Sequence, residues 1–114
     1  MRVQAIKTQR IRAGEISLEE LLDDSISTLA DGSIVVISSK VVALCENRVV
    51  DIKSTTRADL VKKEADYYMP PEFSDYNYGF AITRGTLIAS AGIDESNGDG
   101  HWVLLPKDPF ASAN

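Results

Sequence analysis

The strongest periodic signal in the chain lies between Ser17 and Leu29. Leu18, Leu21, Leu22, Ile26 and Leu29 recur at helical spacing, with Glu19, Asp23 and Asp24 on the other side, the pattern of a helix with one face toward a core. Ser17 stands three residues before Glu20, a capping-box pair in which the hydroxyl accepts a backbone N–H while the carboxylate reaches back. Asp31-Gly32 is the expected stop, since glycine takes the positive φ that closes a helix. A second helix is expected over roughly residues 56 to 66, opened by Thr55 or Thr56, with Ala58, Leu60, Val61 and Ala65 inward. Pro70-Pro71 forbids its continuation.

Alternation and β-branched runs predict the strands. Val3, Ala5 and Ile6 among polar neighbours read as a strand over residues 2 to 8. Ile34-Val35-Val36-Ile37 reads as a strand buried on both faces, ended by Ser38-Ser39-Lys40. Val41 to Cys45 fits a short helix or a strand, because so short a run leaves periodicity nothing to decide. Asn47 tolerates the left-handed conformation and turns the chain into Arg48 to Ile52, an alternating strand. Phe80-Ala81-Ile82 and Leu87-Ile88-Ala89 flank Arg84-Gly85 as a tight hairpin, and His101 to Leu105 forms a last strand before Pro106. The tyrosines Tyr67, Tyr68, Tyr76 and Tyr78 fall together with Pro70 and Pro71. They read as a loop whose rings cover a sheet edge, with a stacking or dimer surface as the alternative.

Two helices and about six strands, with at least one hairpin, predict an α+β fold with a mixed β-sheet, in a single domain over residues 1–114. Leu21, Leu22, Ile26, Ile34, Val36, Val49, Leu60, Ile82, Ile88, Val103 and Leu104 are the expected core. The 114 residues, 44% hydrophobic and 25% charged, suit one ordinary globular core. Twelve Lys and Arg against seventeen Asp and Glu leave a net charge of -5. That field repels nucleic-acid backbones and anionic membrane surfaces, so neither is an expected partner. The longest apolar runs fall far below the ~18 residues that span a bilayer, and Met1-Arg2-Val3-Gln4 has no signal-peptide pattern. Cys45 is the only cysteine, so no disulfide framework calls for an oxidising compartment. The expectation is a cytoplasmic protein.

Candidate chemistry gathers in two places. The loop Ala91 to Gly100 holds Asp94, Glu95 and Asp99, the amide Asn97 and three glycines between two apolar strands. Asp94 offers hard oxygens for Mg²⁺ or Mn²⁺, and Asn97 an amide for a phosphate, base or sugar. By itself such a loop is most often just a turn. It is not a calcium loop, since Leu105 stands where a bidentate glutamate belongs. Ser38-Ser39-Lys40 supplies the hydroxyls and ammonium that a phosphate tail requires, without the glycines of a Walker loop. Cys45 in its apolar run behaves as a small hydrophobe. His101, the only histidine, reads as a half-exposed structural residue. One His and one Cys cannot assemble a catalytic triad or a His/Cys metal cluster.

Several stretches together resemble the coenzyme F420 gamma-glutamyl ligase family, over its N-terminal half. They are Gly14-Glu15 before the capped helix, Asp31 to Val42, Glu46 to Val50, Ala91 to Asn97, and Leu104 to Pro109. The Gly-Ile-Asp-x-Ser-Asn string, followed by Leu-Leu-Pro and Asp-Pro, is the specific part. The resemblance implies a GTP-dependent ligase of coenzyme F420 biosynthesis. In such a ligase a substrate carboxylate is phosphorylated and the amine of L-glutamate displaces the phosphate, with divalent ions bridging phosphate oxygens. It further implies Asp94 as a metal ligand and Ser38, Ser39, Lys40 and Asn97 as nucleotide contacts, with Thr8 to Ile11 lining the same pocket. A homodimer is implied as well.

Leu44 departs from the family, which often places a second lysine there as a phosphate contact, and Asn47 replaces its usual glycine. The family's full enzyme carries further metal ligands in a second half. The expectation is therefore a nucleotide- and metal-binding half with an incomplete active site, its catalytic residues unassigned. The competing expectation is a non-catalytic relative that binds a small ligand or acts by assembly. In the first of these, Asp94 and Asn97 would meet Ser38, Ser39 and Lys40 at the mouth of one cleft.

Overall fold

The computed structural model describes residues 2–76, 79–96 and 98–114. Among them are four α-helices and five strands. The helices are α1 (Leu18–Ser25), α2 (Ser39–Cys45), α3 (Arg57–Glu64) and α4 (Pro109–Ala113). The strands are β1 (Val49–Asp51), β2 (Tyr67–Met69), β3 (Phe80–Thr83), β4 (Thr86–Ala89) and β5 (His101–Val103). The fold is α+β, but two small antiparallel sheets, β1-β5 and β2-β3-β4, replace the single sheet of about six strands. Two compact units divide the chain: Met1–Arg48 with Pro106–Asn114, and Val49–Leu105.

In the first unit, α1 starts where the capping box places it. Ser17 Oγ accepts from Glu20 N at 3.2 Å, and Ser17 N donates to the Glu20 carboxylate at 3.0 Å. The helix ends at Ser25, before Asp31-Gly32, with the Ile26 N–H still donating to Leu22. The turn signal at Gly32 therefore marks a later bend rather than the helix end. Leu21 is buried, whereas Leu22 and Ile26 are only half-covered. Val41 to Cys45 resolves as helix: α2 buries Val42 and Ala43 and begins at Ser39. Asn47 takes φ +54, and Arg48 N donates back to Ala43 O. The Glu46 carboxylate then accepts from Lys107 N at 2.7 Å and from Ser112 Oγ at 2.6 Å, fastening α4.

Two expected strands are absent from this unit. Residues 2 to 8 and Ile34 to Ile37 lie in no ladder, and Ile34 and Val36 are 87% and 89% exposed. Strand propensity measures fit to a neighbouring pleated surface, and the described residues offer this run none.

The second unit carries its own core of Leu60, Val61, Ala81, Ala91, Ile93, Trp102 and Leu104. Thr56 caps α3, its hydroxyl accepting from Asp59 N at 3.2 Å. The Arg84-Gly85 hairpin forms as expected, with β3 and β4 in register from Phe80↔Ala89 to Thr83↔Thr86. The segment expected to be a tyrosine loop instead begins as the edge strand β2, paired Tyr67↔Ile82 to Met69↔Phe80. Tyr76 is exposed and Tyr78 lies outside the described residues. Side chains of β3 alternate, so Ala81 and Thr83 point inward and Phe80 and Ile82 outward. The inward set is the smaller one, packed with the Ala91 turn, which is why Ile82 does not join the expected core. Leu60, Val103 and Leu104 are buried as expected, and Val49 and Ile88 are half-buried.

Candidate functional site

Ser38, Ser39 and Lys40 belong to the first unit, Asp94 to the second, and each is described within its own unit. The serines do not end a strand. Ser38 is the cap residue of α2, in extended conformation, and its side chain makes no capping bond to the helix. Its carbonyl accepts the first helical bond, from Val42 N at 3.2 Å. Ser38 and Ser39 are exposed and Lys40 is half-buried. Thr8 to Arg10 are exposed in irregular backbone, with Ile11 half-buried. Leu44, where the family resemblance implies a lysine, is half-buried and its carbonyl accepts from Gly14 N. Burial, with Glu46 beside it, pushes the Cys45 thiol up. It stays protonated at neutral pH, a poor nucleophile.

The segment leading into Asp94 is held by more than a plain turn requires. Asp94 forms a one-residue antiparallel bridge with Val103: Asp94 N donates at 3.0 Å and Val103 N returns at 2.7 Å. The approach to this bridge is left-handed for three residues, Ser90 (φ +50), Ala91 (φ +52) and Gly92 (φ +72). Positive φ costs a residue with a Cβ roughly 1–2 kcal/mol, and such strain is held only where the surroundings over-determine it. Glycine is required at 92 for a second reason, since a Cβ there would lie 2.8 Å from the Leu105 side chain. Ile93 is buried, and its carbonyl accepts from Arg57 Nη2 at 3.0 Å. The same guanidinium lies over the Trp102 ring, 5.9 Å from its centroid.

The Asp94 carboxylate is half-buried and held by Ser96, whose N–H and hydroxyl donate to its two oxygens at 2.9 Å each. One hard carboxylate suits Mg²⁺ or Mn²⁺ bound mainly through phosphate and water oxygens. It does not suit a cation held by protein groups alone, and no cluster of three or more His, Cys, Asp or Glu side chains occurs among the described residues. His101 is structural, as its position suggests: Nδ1 lies 3.1 Å from both the Gly98 and Asp99 carbonyl oxygens. Carbonyls only accept, so Nδ1 carries the proton and the ring ties the loop to β5. Asn97 lies outside the described residues.

Arg57, Ser96 and the left-handed turn are the parts that sequence reasoning missed. Ser96 follows Asp94 at the spacing of a side-chain-to-backbone turn, a signal that was present. Arg57 reaches a carbonyl thirty-six residues away, for which no local pattern exists. The outward face of the three-stranded sheet carries Tyr67, Met69, Phe80, Ile82 and Leu87 around a shallow apolar hollow. None of the candidate site residues lines it.

Comparison with known proteins agrees with the motif strings. Residues 5–114 match the family F420-0:Gamma-glutamyl ligase. A curated relative from Natronomonas pharaonis, coenzyme F420:L-glutamate ligase, is 32% identical over 117 aligned positions. That match covers 84% of this chain and 46% of the relative, so the chain spans about half the length of the curated relative. With the family matched across nearly every residue, the chain belongs to the F420-0:gamma-glutamyl ligase family.

Proposed function

We propose that this chain is the GTP- and divalent-cation-binding half of a ligase that joins L-glutamate to a carboxylate substrate in coenzyme F420 biosynthesis. The observation that carries the reading is the Gly92-Ile93-Asp94 segment. Within a family of this activity, it follows the strained Ser90-Ala91 turn, buries Ile93 and is bridged to Val103, presenting one carboxylate. Asp94 would hold Mg²⁺ or Mn²⁺, and such an ion supplies charge neutralisation at phosphate oxygens. The chain's own residues orient: Ser96 fixes the rotamer of the Asp94 carboxylate, and β5 fixes its backbone. Ser38 and Ser39 would offer hydroxyls, and Lys40 an ammonium, to the nucleotide phosphates. Asn97 is assigned to the same nucleotide by the family resemblance. A cytoplasmic setting accords with the lone thiol of Cys45, which needs no oxidising compartment.

A homodimer is part of the proposal. Ile34, Val36 and Leu29 are exposed in the single chain, an apolar run that a second copy would cover. Light scattering would then give twice the 12.5 kDa chain mass, and a single-chain mass up to millimolar protein would remove this part. Titration calorimetry tests the site. GTP should bind only with Mg²⁺ or Mn²⁺, and Asp94→Ala should weaken that binding by at least about tenfold, with no turnover by either form. Equal binding by both proteins would refute the site. Leu44, in place of a lysine, favours the second reading, a non-catalytic binding or assembly protein. Dimerisation without any cation-dependent GTP binding would support that reading.

A further inference from the structure

We infer that Arg57 is a positioning residue for the Asp94 turn, acting through the Ile93 carbonyl and the Trp102 ring. The peptide unit between Ile93 and Asp94 is one rigid plane. Its oxygen accepts from Arg57 Nη2 at 3.0 Å, and its N–H donates to Val103 O at 3.0 Å. Both ends of that plane are therefore fixed, which sets the direction in which the Asp94 side chain leaves the backbone. The bridge to Val103 is a single residue pair, and so short a ladder frays easily. Upstream of it lie three successive left-handed residues, a strained lead that would relax if released.

Arg57 counters both tendencies. It opens α3, which is capped by Thr56 and docked through Leu60 and Val61 in the core. Its guanidinium also covers Trp102, the neighbour of Val103 in β5, so one side chain touches the residue next to each partner of the bridge. Arginine suits this position because its planar fork can donate in its plane while its face covers a ring. The role of Asp94 itself rests on the proposed cation site, whereas the bracing of its backbone does not.

The test compares the wild type with Arg57→Met and Arg57→Lys. Amide hydrogen exchange reads the bridge directly, with the β3–β4 hairpin as an internal reference. Trp102 is the only tryptophan, so selectively excited tryptophan emission reports on the surroundings of this one ring. Mn²⁺ binding, followed by electron paramagnetic resonance of the free ion, reads the carboxylate. In Arg57→Met, exchange at Asp94 and Val103 should quicken by about tenfold, the loss of one charge-assisted hydrogen bond. The hairpin amides should not change, and the Trp102 emission should shift. Mn²⁺ affinity should fall by roughly tenfold. Arg57→Lys keeps a charged donor and should recover part of the protection; it also carries the comparison if the methionine variant unfolds.

Unchanged exchange at Asp94 and Val103, or an equal rise across the hairpin, would overturn the inference. A wild type that takes up no Mn²⁺ would refute the cation reading of Asp94, and exchange and fluorescence would then decide the role of Arg57.

Discussion

Two apolar stretches of the same length, Ile34 to Ile37 and Phe80 to Thr83, met different fates. The second is the middle strand of a sheet, paired on both sides. The first lies in no ladder, with Val36 89% exposed. Their compositions would rank them the other way, since Ile34 to Ile37 is β-branched throughout. What separates them is what comes next. Phe80 to Thr83 runs into Arg84-Gly85, whose φ values of +53 and +71 turn the chain straight back, and a partner strand arrives after two residues. Ile34 to Ile37 runs into Ser38, which opens a helix. A β-branched run states a readiness to pair, and a turn or a second chain has to supply the mate.

The sharpest way to break this comparison is to truncate one residue of each kind. Leu60→Ala, in the core of the second unit, should cost about 2–5 kcal/mol in urea unfolding. Val36→Ala in dilute protein should stay within about 0.5 kcal/mol. A Val36 cost near that of Leu60 would mean the run is covered after all. The turns give the next test. Gly85 has positive φ with open space around it, whereas Gly92 has positive φ and Leu105 against it. Gly92→Ala should therefore cost roughly 2–4 kcal/mol, strain plus overpacking. Gly85→Ala should cost roughly 1–2 kcal/mol, strain alone, and hydrogen exchange should show β3 and β4 loosening with it. A neutral Gly85→Ala would show that the hairpin does not depend on its turn.

The smallest effect concerns pH. Ser17 holds the Glu20 carboxyl below its ordinary value, through its backbone N–H first and its hydroxyl second. A carboxylate depressed in the folded state stabilises when ionised. The benefit is present above the ordinary carboxylate range and lost as pH falls through the lowered value. Exchange at the α1 amides should rise between about pH 5 and about pH 3, before the hairpin responds, and Glu20→Gln should abolish the step. Simultaneous loosening of α1 and the hairpin would show that the cap is not what acid releases.

What was legible in the sequence was local. Ser17 with Glu20, a threonine cap at residue 55 or 56, Asn47 at its turn and Arg84-Gly85 each act within a few residues, and the structure has all of them, the threonine being Thr56. The Asp94 loop was legible as a loop of candidate chemistry. Its bridge to Val103 and its tie to Arg57 were not, because both are contacts between distant residues. Strand number failed for the same reason: alternation in Val3 to Ile6 describes a face, not a neighbour. Ser90 and Ala91 in left-handed backbone could not be foreseen, since neither residue prefers it. Ile82 shows the remaining difficulty. Phe80, Ala81 and Ile82 are all apolar, and only the packing of Ala91 reveals which side is inner.

The pairing of β1 with β5 has a consequence for how this chain is put together. Val49 sits opposite Val103, so the segment Val49–Leu105 enters and leaves its unit by adjacent strands. Within the other unit, Glu46 fastens Lys107 and Ser112. A stretch whose two ends are zipped side by side behaves as a cassette: it can be spliced into a host at one point and leaves the host's own ends in register. The entropy of closing so long a loop is then met once, at the β1–β5 pair, instead of at every contact inside. With Val49 and Val103 side by side, the ends of residues 49–105 meet the geometric requirement for transplantation or circular permutation.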